Sequence, residues 1–374
     1  MKPDPARPTK AGPRAPLPRC DGATVVVPPP QEGMGAWAGA PSALLVDGTF
    51  YLAYRLRRPL GQGRGYANVI ARSGDGVRFE TVAVLSKASF GAESLERPAL
   101  VRTPEGRWRV YVSCATPGSK HWWVDVLEAD DPAGLATATP RTVLPGDADF
   151  GVKDPVLVFS GGQWHLWASR HPLAVPAEAD RMTTEYATSP DGLAWTWRGT
   201  ALAGRPGQWD ARGTRITTVL FGADGAHRSP SIAYYDGRAN AAENWEERTG
   251  IAVAARHSRR FAAYGHVPAA ASPDGSRGLR YLSAVALPAG DYRLYYEATR
   301  PDGAHDLRTE LASAGPVARV AAETGTGRLS GRRDRAAADA RSPRGPQRVP
   351  RRTIPSRPAR RDGSGRWAGH PQGT

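Results

Sequence analysis

Apolar residues in this chain fall in short runs broken by Gly, Pro, Asp and Ser, and no stretch carries the 3.6-residue period of an amphipathic helix. The runs pair up around tight turns. Ala43-Leu-Leu-Val46 is followed by Asp47-Gly48 and then Phe50-Tyr-Leu-Ala-Tyr54. Similar second members are Trp108-Arg-Val-Tyr111, Trp164-His-Leu-Trp167, Ile232-Ala-Tyr-Tyr235 and Tyr292-Arg-Leu-Tyr-Tyr296. Three of these follow Glu105-Gly106, Gly161-Gly162 and Gly290-Asp291. Aromatic and β-branched runs separated by such turns predict antiparallel hairpins.

The hairpins repeat. Pro41, Pro98 and Pro155 open equivalent runs 57 residues apart, and one further step of 57 reaches Arg212. A fifth copy starts at Leu279. Third strands lead into Ser73-Gly-Asp75-Gly-Val-Arg-Phe79 and Ser189-Pro-Asp191-Gly-Leu-Ala-Trp195, each with Asp-Gly at a hairpin turn. Fourth strands are expected at Thr81–Leu85, Thr142–Leu144 and Thr200–Ala203. Five copies of four strands predict an all-β fold, a five-bladed β-propeller. The fifth copy runs out after three strands near Leu311. Thr24-Val-Val-Val27 is the orphan run that would complete it and close the ring.

Composition adds boundaries. The chain carries a formal charge of +14. Residues 317–374 hold fourteen Arg and four acids, and residues 1–20 hold five Lys/Arg and one acid, so the body between is neutral. Disordered tails are therefore expected at residues 1–22 and 317–374, flanking a propeller over 23–316. Nucleic acid is an expected partner only through the basic tail. Cys20 and Cys114 form no metal or disulfide framework, and Cys114, at the end of a strand, is expected to be a buried thiol. No metal site and no cofactor are expected. Without an apolar leader or a membrane-length stretch, the expectation is a cytoplasmic protein with no membrane partner.

In a propeller the first strand of each blade lines the channel and the second runs antiparallel to it. First-strand starts, second-strand ends and the loops after them therefore share one face. Those positions are polar and aromatic. The first strands contribute Glu96, Arg97, Lys153, Asp154, Asp210, Arg212 and Arg280. The second strands contribute Arg55, Arg170, His171, Asp236, Arg238 and Glu297, and the loops add His121, Trp122, Trp123, Arg181, Asn244 and Trp245. Charged groups bond hydroxyls and indole rings stack on sugar faces, so the expected partner is a small saccharide or oligosaccharide. The expected substrate-binding set is Arg55, Arg97, Trp122, Arg170, His171, Asp236, Arg238 and Arg280.

Blade layout, the opening Pro41-Ser-Ala-Leu-Leu-Val-Asp-Gly48, Val152-Lys-Asp154-Pro155-Val and the Asp-Gly-Leu-Ala-Trp hairpin together resemble the five-bladed propeller glycosidases. The resemblance is particularly to glycoside hydrolase families 43 and 32, and also to the family 130 mannoside phosphorylases. The resemblance covers about residues 23–312. It implies a first-blade carboxylate acting as base or nucleophile, where this chain has Ala40-Pro41. It implies a general-acid carboxylate on a later blade, where the nearest candidate is Asp210. It also implies that Asp154 orients substrate and tunes the acid. Hydrolysis needs one protonated and one ionised carboxyl. Glu96, Asp154 and Asp210 are the expected catalytic set, with Glu96 or Asp210 as the acid. With Ala40 in place of a carboxylate, three readings remain: a rearranged hydrolase, a phosphorylase, or a sugar-binding protein. A non-sugar alternative is a propeller that scaffolds a protein partner.

Overall fold

The computed structural model describes residues 13–221, 231–255 and 258–317. They form five four-stranded antiparallel blades; three are separate sheets, and the last and first are joined into one eight-stranded sheet by a parallel bridge between His305 and Trp37. Blade 1 is Trp37–Val46, Thr49–Arg57, Gly65–Ser73 and Glu80–Ser86. Blade 2 is Ser94–Arg102, Trp108–Ala115, Trp122–Ala129 and Arg141–Leu144. Blade 3 is Phe150–Ser160, Gln163–Pro172, Thr183–Ser189 and Thr196–Leu202. Blade 4 is Gly213–Leu220, Ser231–Arg238, Arg248–Ala254 and Ala262–Tyr264. Blade 5 is Leu279–Ala286, Tyr292–Thr299 and His305–Ala312, completed by Thr24–Val27. Each first strand packs beside the next, and the fifth returns to the first. The fold is the expected five-bladed β-propeller.

The core consists of five apolar clusters, each filling one seam between neighbouring blades. Alternation along each strand makes this possible, because successive side chains face opposite seams. Tyr234 points into the seam between blades 4 and 5, while Tyr235 points into that between blades 3 and 4. Cys114 is fully buried in the first seam. The Asp-Gly hairpins are stapled across seams. The Tyr111 hydroxyl donates to the Gly192 carbonyl at 2.7 Å, and the Tyr295 hydroxyl donates to that of Gly76 at 2.9 Å.

Ring closure starts earlier than composition implies. Residues 13–22 fall inside the segment expected to be disordered, yet Arg14–Ala15 pairs with Gly315–Pro316. The Tyr234 hydroxyl donates to the Pro16 carbonyl, and Glu310 accepts from the Arg19 and Cys20 amides. Apolar content is low here, but backbone hydrogen bonds to the neighbouring blades hold the segment. The flanks 1–12 and 318–374, with the rest of the expected disorder, lie outside the described residues.

Candidate active site

First-strand starts, second-strand ends and the loops that follow meet on one face and enclose a cavity of about 280 Å³. First strands supply Glu96, Lys153, Arg215 and Arg280 from blades 2 to 5. Second strands supply Arg55 and Arg57 from blade 1, His171 from blade 3 and Arg238 from blade 4. Trp37, Trp122, Trp245 and Tyr281 provide aromatic surface.

Beneath the cavity every first strand slips register. The slips fall at Ala40-Pro41, Glu96-Arg97, Asp154-Pro155, Thr217 and Tyr281-Leu282. Ala40, Asp154 and Tyr281 take left-handed backbone there, with φ of 53°, 55° and 56°. That conformation strains a side chain as bulky as tyrosine. A bulge turns an amide out of its ladder, and buried amides need acceptors. Buried side chains meet the need. Asp154 accepts from the Arg97 amide (3.3 Å), Asp236 from that of Tyr281 (3.0 Å), and Ser113 from that of Asp154 (2.9 Å).

A belt of alternating charge surrounds these caps. Glu96 pairs with Arg55 at 2.5 Å, and Arg55 lies 3.6 Å from Glu297. Glu297 pairs with Arg280 at 2.7 Å, and Arg280 with Glu247 at 2.8 Å. Glu247 also pairs with Arg238 and lies 3.8 Å from Arg215. Arg215 bonds Asp236 at 2.7 Å and Asp154 at 3.1 Å. Burial works against ionising Glu96, but Lys153, Arg55 and Arg64 outweigh it and bring the carboxyl down to about 2. Burial likewise opposes ionisation of Glu247 and Asp180, yet surrounding guanidinium groups hold both below the usual carboxylate range. Asp236 is the carboxyl among the described residues that burial pushes up, to about 6 against the pull of Arg215, and it lies outside the cavity lining.

The lining is strongly cationic, with eight Lys/Arg against Glu96, Asp180 and Glu247. Among the described residues, neither Arg57 nor Lys153 has a carboxylate partner. The Arg57 guanidinium sits between the rings of Trp37 (3.7 Å) and Trp245 (4.7 Å), with its Nη1 buried and without a hydrogen-bond acceptor. Burial, with Arg55 nearby, brings it down to about 9. Lys153 Nζ lies 4.4 Å from the Trp122 ring centre. His171 Nδ1 donates to the Ala179 carbonyl at 2.7 Å, which leaves Nε2 as a lone-pair acceptor without a partner. Burial and the charge of Lys153 keep this ring neutral. The indole N–H groups of Trp37 and Trp122 are also unpaired. The cavity thus offers spare donors, one neutral acceptor and unpaired positive charge.

Of the expected site residues, Glu96, Arg55, Trp122, His171, Arg238 and Arg280 line the cavity. Asp154, fully buried, sits directly below as a cap and counter-ion. Asp236 does the same on the other side of Arg215. Arg97 is outside the lining. Its guanidinium plugs the channel by donating to the carbonyls of Pro41, Pro155 and Thr217 from three other blades. Arg170 lies over the Phe150 ring, 3.8 Å from Asp147, and is also outside. Asp210 is a loop residue before blade 4, buried against Arg205 Nε (2.9 Å) and the Tyr235 hydroxyl (2.8 Å). The 57-residue step misplaces it, because the fourth bulge falls at Thr217, five residues beyond 212. Against the effect of burial, Lys153, Arg55, Arg64 and Arg57 favour the ionised form of Glu96, which suits a counter-ion better than the expected acid. Sequence reasoning missed Trp37, Arg57, Arg64, Asp180, Arg215, Glu247 and Tyr281 among the lining residues. The Arg55-Leu-Arg57 alternation was the available signal, since it sends both guanidinium groups to one side of the strand.

No family model matches the sequence, and no curated protein is significantly similar to it. Solved structures do share its fold. One is from the GH130 family of mannoside phosphorylases, which contains glycoside hydrolases targeting β-1,2 mannosidic linkages in Candida mannan; the identity is 16%, over 85% of this chain and 99% of the other, with TM-score 0.57. Another is a thermostable family-43 glycoside hydrolase (15%, 76% and 95%, TM-score 0.56). A third is the β-1,2-mannobiose phosphorylase of Listeria innocua (13%, 79% and 92%, TM-score 0.52). At these identities the likeness establishes the propeller fold.

Proposed function

We propose that this cavity binds a saccharide beside an inorganic phosphate and transfers a glycosyl group to the phosphate. The observation that carries this reading is the pairing of charges. Each lining carboxylate is tied to Arg and ionised, while Arg57, clamped between Trp37 and Trp245, is a cation without a carboxylate partner among the described residues. Hydrolysis would require a protonated carboxyl opposite an ionised one. Here the lining carboxyls are all on the ionised side, and the position of the missing first-blade carboxylate is Ala40, fully buried. Phosphate brings its own nucleophilic oxygen and needs cations to hold it. Arginine binds such an oxyanion through paired N–H donors. The aromatic walls and the His171 acceptor suit sugar faces and hydroxyls. A phosphorylase and glycosidases among the solved structures of this fold support a glycoside as the second ligand.

The test is turnover of a panel of disaccharides and nitrophenyl glycosides (mannose, xylose, arabinose, galactose), with and without phosphate. Glycosyl phosphate formed only when phosphate is present is the expected result. Free sugar released equally without phosphate would return the site to hydrolysis. Sugar binding with no turnover in either condition would make it a binding module.

A further inference from the structure

Phosphorolysis leaves one requirement unmet by the groups assigned so far. The departing sugar oxygen must receive a proton, because an alkoxide is a poor leaving group. Glu96, Asp180 and Glu247 are ionised and bound to Arg. Asp236 lies behind Arg215, outside the lining. The His171 proton is on Nδ1 and engaged by the Ala179 carbonyl. Of the lining guanidinium groups, Arg57 is clamped between Trp37 and Trp245 and assigned to the phosphate, and the others are paired with carboxylates.

We infer that Lys153 is the proton donor to the departing oxygen. Its place in the fold sets it apart. It is the residue before the Asp154 bulge, so the first strand of blade 3 carries it to the rim of the channel. It lies against the Trp122 ring, a surface on which a sugar can stack, and among the described residues no carboxylate pairs with it to compete for its N–H groups. The other lining lysine, Lys120, is solvent-exposed in the loop before Trp122. The charged and titratable groups around Lys153 come from every neighbouring element: Glu96 on blade 2, Arg55 on blade 1, Arg215 on blade 4, and Asp154 and His171 on its own blade. Burial weakens its hold on the proton, while Glu96 and Asp154 restore part of it; the net shift is downward, toward the working range of an acid.

The step balances without a further reactant. A phosphate oxygen forms the bond to the anomeric carbon as the glycosidic C–O bond breaks. The electron pair of that bond goes to the departing oxygen, which takes a proton from Lys153 Nζ. Hydrogen phosphate enters as the dianion, and the glycosyl phosphate monoanion passes its remaining proton to the neutral amine. Lys153 is then ready for the next cycle.

The inference rests on the phosphorylase reading, and leaving-group dependence separates the two. A nitrophenolate departs without a proton, whereas a sugar alkoxide does not. In Lys153→Met, kcat/KM on a disaccharide substrate should fall by about a hundredfold or more. On the matching nitrophenyl glycoside the fall should stay below about tenfold. The ratio is read within one preparation, so it does not depend on the folded fraction. Lys153→Arg keeps the charge but not a dissociable proton, and should behave like the Met variant. Equal losses on both substrates, or recovery in Lys153→Arg, would show that only the charge matters and overturn the inference. Turnover that ignores phosphate would remove the phosphorylase reading alone, and the ratio would still decide Lys153. No turnover of either substrate by the unmodified protein would remove both.

Discussion

The Glu297 carboxylate accepts a hydrogen bond from the Ala40 amide at 3.0 Å. It reaches there because Gly39 has no side chain: a Cβ at that position would lie 2.1 Å from Glu297 Oε2. A blade 5 carboxylate thus occupies the place beside the first-blade bulge. It serves as a structural anchor, also held by Arg280 and by His305 Nδ1 (2.7 Å each). Removing it strands a buried guanidinium and an amide. Glu297→Ala should cost about 3–5 kcal/mol, a drop in thermal midpoint on the order of 10 °C. Calorimetry reads it, and a midpoint unchanged would mean that the belt relaxes around the loss.

Placing a carboxylate at the first-blade bulge should not create a hydrolase. In Ala40→Asp the new group would crowd Glu297 in a buried site, and like charges that close cannot both ionise cheaply. The expected outcome is a less stable protein with no gain in phosphate-independent turnover. Hydrolysis gained at undiminished stability would overturn this view of the bulge.

Arg57, clamped between Trp37 and Trp245, should be the main anion contact. Arg57→Ala should weaken inorganic phosphate binding by about tenfold or more, which corresponds to about 1.4 kcal/mol. Isothermal titration measures this directly, and Arg57→Lys should recover only part because the planar fork is lost. Phosphate affinity untouched in both variants would exclude Arg57 from the anion site.

Asp210 belongs to the structure of blade 4. Asp210→Asn should lower stability by about 1–3 kcal/mol through the lost charge-assisted bonds to Arg205 and Tyr235. Its kcat/KM per folded molecule should stay within about twofold of the unmodified value. A collapse of kcat/KM with stability intact would restore Asp210 to the site.

Acid should unfold the propeller partly through Glu96. Its folded value of about 2 lies below the 4.5 of a free glutamate, so its ionised form stabilises the fold above about pH 4.5. That contribution is lost as pH falls from about 4.5 towards 2. Glu96→Gln should flatten the stability curve across this window, measured by denaturant midpoints. An unchanged acid limb would place the titrating group elsewhere.

Much of this architecture follows from the sequence alone. The turn residues, the period-2 runs and the 57-residue repeat imply five blades, because hairpin geometry is local. Even the closing strand Thr24–Val27 could be named, since a ring of four-stranded blades leaves one strand missing and one run unused. Strand polarity brought Glu96, Arg55, Trp122, His171, Arg238 and Arg280 to the right face for the same reason.

What the tertiary structure decided is which of these groups meet the cavity and in what state. Arg97 and Asp154 on first strands and Asp236 on a second strand share that face but turn into the channel, where bulge amides and carbonyls from other blades claim them. Ion pairing and burial depend on distances across blades, so the sequence could not tell an ionised Glu96 from an acid. Nor could it show that Trp245, far along the chain, would sandwich Arg57 against Trp37. Fold here is written in local turns and periodicity; protonation and partnership are set by contacts among residues that only the closed ring brings together.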